Sequence, residues 1–231
     1  MPNWVTNKVQ APSHVIRSML NAEGHVDFET AAPFPGPCGK DWGGHSCDAE
    51  EAAEIICGVP VSSQPLLAAL QAGNRERFDI KKLSEESFEQ FIGMVRNWRA
   101  CGYLHPMDFN RKVWGTKWNA CHPKAEPDEG RCEFETASSC PMGVLVKVSE
   151  RFPDDAITVT YADEDIGSNC GTFTLKAGKM VEQDIAPSWR DLDDAGKAKW
   201  KAFAYQVKGW EPETEEKTPN ASLSGLPLGK D

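Results

Sequence analysis

Three groups of side chains in this sequence have the types and spacing to do chemistry. The first is acidic: Asp163-Glu164-Asp165, with Asp154-Asp155 shortly before it. Such carboxylates can hold Mg²⁺ or Ca²⁺ through oxygen, or share acid and base roles. Asp163 and Asp165 converge only if a strand continues through them. No EF-hand spacing follows, and no phosphate-binding Gly-Lys loop occurs, so a solvated strand end is the plainer reading. The second group is Cys38, His45, Cys47 and Cys57, set among glycines and prolines. Soft ligands of this kind can close a tetrahedral zinc site, but structural zinc sites pair their ligands two to four residues apart. Only His45-Ser46-Cys47 is that close, and no Cys-x-x-Cys occurs. We therefore assign no metal ligand and no cofactor. Zinc on those four residues is the alternative the spacing leaves open, and the scattered thiols read as small buried side chains. The third group is Trp114, Lys117 and Trp118, which can stack a base. On a helix the two indoles share a face, and packing in a core is the competing reading.

Composition narrows the classes. Of 231 residues 40% are apolar, which excludes wholesale disorder, a collagen-like fibre and a coiled coil. Thirty-five acids against 25 bases leave a net charge of −10, so the chain has no overall field for attracting nucleic acid, and direct nucleic-acid binding is not expected. No apolar run approaches the roughly 18 residues of a membrane span, and Met1–Thr6 lacks the basic and apolar regions of a signal peptide. Nucleophile motifs are absent too: no Gly-x-Ser-x-Gly, no His-Glu-x-x-His, and no deaminase-type His-x-Glu with Pro-Cys-x-x-Cys.

The elements that must position these groups follow from periodicity. Residues 4–10 read as a strand, 13–20 as a short helix, and 25–31 as a second alternating strand ended by Pro33, Pro35 and Pro37. From Cys38 to about Ala125 the chain turns helical. Its clearest helix follows Ser84, with Phe88, Phe91, Ile92, Val95 and Trp98 on one stripe and Gly102 as its stop. Residues 123–130 read as a polar turn. Strand pattern returns at 131–137, a helix follows Pro141, and Ile157, Val159 and Tyr161 mark the most β-branched strand. Residues 170–176 and 179–185 form a hairpin about Ala177-Gly178, and 188–207 a last helix. The tetrapeptide Phe-Glu-Thr-Ala occurs at 28–31 and again at 134–137 without making a repeat. The order strand–helix–strand, excursion, strand–helix–strand is the ferredoxin-like βαββαβ plan. The expected fold is thus α+β: a ferredoxin-like sheet with a large helical insertion between strands 2 and 3, an added β-hairpin and a C-terminal helix. Residues 1–37 with 126–208 make the sheet domain and 38–125 the insertion. Residues 209–231 form a disordered acidic tail.

Three stretches together carry a family likeness: Met1-Pro2-Asn3-Trp4 with Asn7; Trp114-Gly115-Thr116-Lys117-Trp118-Asn119-Ala120; and the run from Phe134-Glu135-Thr136-Ala137 through Tyr161-Ala162-Asp163-Glu164-Asp165-Ile166-Gly167 to Asn169-Cys170-Gly171. The chain resembles the YubB-type proteins of phages and plasmids, which carry a C-terminal ferredoxin-like domain and no established activity. It departs from them at 135–141, where that family places Trp and paired Pro and this chain has Ala137-Ser138-Ser139-Cys140-Pro141. The resemblance implies a mobile-element protein working in the cytoplasm of a bacterial host. With an acidic surface and no reaction centre, the expected function is non-enzymatic. The chain would bind and block a host protein or ribonucleoprotein, such as a CRISPR-type defence complex. The binding residues would be Trp114, Lys117, Trp118, Asp163, Glu164 and Asp165. A metal-dependent enzyme or zinc-stabilised factor, and a single-stranded nucleic-acid binder using an open sheet face, are the alternatives.

Overall fold

The computed structural model describes residues 2–42 and 44–212. Strand β1 (Trp4–Gln10) and helix α1 (Ser13–Ser18) form as the alternation and apolar face predict. The segment 25–31 does not form the expected strand. It makes one bridge, Leu20 with Val26, and then a 3-10 turn at Phe28–Thr30. Asp27 is the cause: its carboxylate accepts the Glu29 amide proton and its carbonyl accepts the Thr30 hydroxyl, a local alternative that outcompetes a ladder.

The second strand is instead β2 (Cys121–Glu126), which overlaps the span 123–130 read as a turn. Pro123 and the polar residues hid it, but β2 is an edge strand, where a missing donor is tolerated; its register shifts between Cys121 and Lys124. Strands β3 (Arg131–Ala137) and β4 (Ile157–Ala162) follow, with helix α6 (Met142–Arg151) between them, and then β5 (Cys170–Lys176) and β6 (Lys179–Ile185). The six strands run in the order β2-β3-β1-β4-β5-β6, every pair antiparallel. The first four reproduce the ferredoxin-like plan, and the hairpin is added at the β4 edge. The helical insertion therefore lies between α1 and β2, one element earlier than expected, and the sheet body reaches back to take in Cys121–Glu126.

Alternation divides the sheet between two layers. Val5, Val9, Phe134, Val159 and Phe173 face α1 and α6 across the main core, with Phe28, Phe34 and Trp114 packed into it. Helix α6 comes very close to the 113–114 backbone: a Cβ on Gly143 would collide with the Val113 carbonyl oxygen, so only glycine fits. On the other face helix α7 (Asp194–Lys208), capped by Asp193, lays Trp200, Ala204 and Val207 on Ala162 and Cys170.

The insertion contributes α2 (Cys47–Cys57), α3 (Pro65–Arg77), α4 (Glu85–Cys101) and the short α5 (Pro106–Phe109). Ser84 caps α4 and Gly102 ends it in the left-handed conformation, as its sequence predicts. Its buried stripe is rotated from the predicted one: Phe91 and Met94 are covered, while Phe88 is exposed. Helix α3 buries no residue at all; Leu66 and Leu70 are 74% and 58% exposed. The expected tail at 209–231 lies largely outside the described residues, which end at 212.

Candidate binding site at the sheet end

Several chain turns meet where β1 begins and β3 and β4 end. Pairing of β4 with β1 stops at Ala162 opposite Thr6, which leaves the Trp4 backbone beyond the ladder. Two side chains take its place: the Trp4 amide donates to Glu164 Oε2 at 3.0 Å, and Lys208 Nζ donates to the Trp4 carbonyl at 3.1 Å. The Trp4 indole is thereby fixed beside Trp118, with ring centroids 5.9 Å apart, and beside His122 at 6.3 Å. His122 Nδ1 lies in hydrogen-bond contact with Glu135 Oε2 at 2.7 Å. Trp118 is 40% exposed. The result is an aromatic shelf of two indoles and an imidazole, edged by Glu164 and Glu135.

The backbone around this shelf is strained. His122, Ser138 and Asn169 all have positive φ, at 47°, 68° and 43°. Each costs about 1–2 kcal/mol relative to ordinary backbone, and such residues gather where a chain presents a binding surface. The strain is held by polar ties: Ser138 N donates to Asn3 O, and Asn169 Nδ2 donates to Asp163 Oδ2 at 2.7 Å.

The predicted site residues divide accordingly. Trp118 and Glu164 meet at the shelf through Trp4. Trp114 does not join them: it is 2% exposed in the main core, and its indole donates to the Ala32 carbonyl at 2.7 Å. A stretch of π-helix (Asn110–Trp114) ends at left-handed Gly115, so Trp114 and Trp118 share no helix face. Lys117 is fixed by its backbone carbonyl, which accepts from Asn110 Nδ2. Asp163 is buried and folds its own loop, accepting from the Asp165 amide and from Asn169. Because β4 ends at Ala162, Asp163 and Asp165 do not form a convergent carboxylate pair. Trp4, His122 and Glu135 were missed; the one available signal was that the first residue of a central strand must lie at a sheet end.

Shelf chemistry is that of cation recognition. Indole faces attract guanidinium and ammonium groups, and a neighbouring carboxylate adds a charge-assisted hydrogen bond. Thiolate nucleophiles are disfavoured nearby: burial pushes the Cys170 thiol up to about 11 and raises Cys140 further, and Cys121 is also raised. The groove of about 570 Å³ between α7 and strands β1 to β5 is of another kind. It presents Thr158, Thr160 and Thr172 with paired charges, Lys8 with Glu133 and Arg131 with Glu126 and Glu129. With those charges paired, the groove carries no continuous basic track for a phosphate backbone.

Cys38, His45, Cys47 and Cys57 do not come together as ligands. Cys38 is pinned through its backbone by Asn97, Cys57 packs against the insertion core, and Cys47 is exposed. His45 instead pairs with Glu50, which also meets His105. Both histidines hold the Glu50 carboxyl well below its usual range.

No curated protein matches the chain. A crystal structure of protein api92 from Yersinia pseudotuberculosis aligns at 13% identity and a TM-score of 0.37, covering 81% of this chain and 99% of that one. A family model described as the ferredoxin-like domain in Api92-like protein matches residues 113–199, from the π-helix through β6 to the first turns of α7. Residues 113–199 are thus similar to the ferredoxin-like domain of Api92-like proteins.

Proposed function

We propose that the chain is a non-enzymatic binding protein that occupies a basic surface of a host macromolecule, receiving an arginine or lysine side chain on the Trp4–Trp118–His122 shelf. The observation that carries this reading is an indole pair, Trp118 exposed and Trp4 half-buried, with Glu164 and Glu135 beside it, rings and carboxylates together suiting a cation. The net charge of −10 favours approach to such a surface. Exposed Leu66 and Leu70 on α3 supply apolar area of the kind that protein partners cover. The YubB-type resemblance adds the setting, a phage or plasmid protein in the bacterial cytoplasm. A nucleic-acid channel of a CRISPR-type defence complex is a target of the right charge.

The test is capture from bacterial lysate with the full chain and with the double variant Trp118→Ala, Glu164→Gln. The reading expects a stoichiometric partner, weakened at high salt, that the double variant loses while keeping its circular dichroism. Recovery of no stoichiometric partner, or equal recovery by both chains, would overturn it.

A further inference from the structure

The insertion holds a second cluster, unrelated to the shelf and assembled from distant segments. His45 lies in the loop before α2, Glu50 in the first turns of α2, and His105 in the link between α4 and α5. His45 Nε2 is 2.8 Å from Glu50 Oε2, and His105 Nε2 is 3.2 Å from Glu50 Oε1. The two imidazoles stack at 3.9 Å, so both Nε2 edges address the same carboxylate. Among the described residues this is the one group of three or more His, Cys, Asp or Glu whose ligand atoms all lie within 4.8 Å.

We propose that His45, Glu50 and His105 bind one divalent cation of the zinc class. Two imidazoles and one carboxylate are a known ligand set for zinc with an open fourth position, and ligands about 2.0–2.1 Å from a tetrahedral ion stand roughly 3.3 Å apart, close to the spacings here. Burial is graded in the sense such a site requires. His105 is 1% exposed and anchors the site, while His45 and Glu50, 12% and 29% exposed, face solvent, where a water or an exogenous ligand completes the coordination. Glu50 also lines a cavity of about 250 Å³ with Cys47, Glu51 and the Arg75–Glu54 ion pair, and Glu51 Oε1 is buried there without a protein partner.

Loading has a local signature. His105 Nδ1 accepts the Asp108 amide proton and caps α5, so the metal-free neutral ring carries its proton on Nε2. Binding the cation through Nε2 moves that proton to Nδ1, where it opposes the Asp108 N–H and releases the cap. The ion exchanges one contact of α5 for a link among three segments spanning positions 45–105.

The probe is zinc chloride, with cobalt chloride for spectroscopy, added to the full chain. The proposal expects about one equivalent of zinc by elemental analysis after gel filtration, and a visible cobalt band without a thiolate charge-transfer band. It also expects faster hydrogen exchange at the Asp108 amide on loading. His45→Asn, at a half-buried position that leaves His105 in place, should bind at least tenfold more weakly (second-shell losses alone reach 10–100-fold). A triple variant of Cys38, Cys47 and Cys57 to Ser should bind as the parent does. The proposal is overturned if the parent retains no zinc, if His45→Asn binds as well as the parent, or if the triple serine variant loses the ion.

Discussion

In the sheet body, Phe28, Phe134 and Phe173 interlock with aliphatic residues from β1, α1, α6 and β4. In the insertion, the buried cluster is Ala49, Ala52, Ala53, Phe91, Met94 and Leu104. The first is a wide core between a sheet and two helices. The second is a thin seam where α2 meets α4, half of it alanine, supplemented by polar ties: Asn97 holding Cys38 and Leu104, and Glu50 holding two histidines. Burial of apolar area scales with side-chain size, so the seam contributes much less per residue than the sheet core. With less apolar area buried per residue, the insertion depends more on each polar tie than the sheet body does on its own buried ones, such as Asn7 to Thr136 and Trp114 to the Ala32 carbonyl.

Core truncation separates the two regions most strongly. Phe134→Ala removes a fully buried ring that stands edge-on to Phe28 at 5.6 Å, and should cost about 3–5 kcal/mol. Phe91→Ala, beside small and half-exposed neighbours that can collapse, should fall at the low end, about 3 kcal/mol or less. Urea titration followed by circular dichroism checks both, and equal losses would break the comparison.

Alkali should act through the sheet body next. Burial pushes the Cys132 thiol from 9.0 up to about 12 and the Tyr161 phenol from 10.0 up to about 12. Both stay protonated in the folded chain while the unfolded chain releases their protons above the ordinary values. Stability is therefore full below about pH 9 and falls as pH rises toward 12. Absorbance at 295 nm should show Tyr161 ionising together with unfolding; ionisation near pH 10 in a folded chain would contradict this packing.

The smallest expected effect is at the shelf. Trp118→Ala removes an exposed ring and should change stability by no more than about 0.5 kcal/mol, while altering the near-ultraviolet dichroism of the Trp4–Trp118 pair. A large stability loss would make the shelf part of the core.

The tetrapeptide Phe-Glu-Thr-Ala shows what the sequence could and could not disclose. At 134–137 it lies between β1 and β2 and is a strand; at 28–31 it follows Asp27 and is a 3-10 turn. The residues are the same, and tertiary neighbours with one capping carboxylate decide the outcome. Strands β1, β3, β4 and the β5–β6 hairpin were legible because alternation and β-branching are local signals, and α4 because its caps are local. Strand β2 was not, since an edge strand carrying Pro123 differs little from a loop in composition. At the shelf, Trp118 and Glu164 were legible by type, but Trp4 joins them through the sheet order, which no window of sequence contains. Glu50 and His105 are 55 positions apart and meet only after α2 and α4 have packed.

The central claim, that the sheet end is the surface that engages a basic partner, is tested most directly by site-specific photocrosslinking. A photoreactive residue is placed at 118 in one chain and at 66 on α3 in another, and each is irradiated in bacterial lysate. A defined adduct at 118, competed by excess unlabelled chain and containing an arginine- or lysine-rich contact peptide, is the predicted result. Absence of an adduct at 118, whatever forms at 66, would contradict the account.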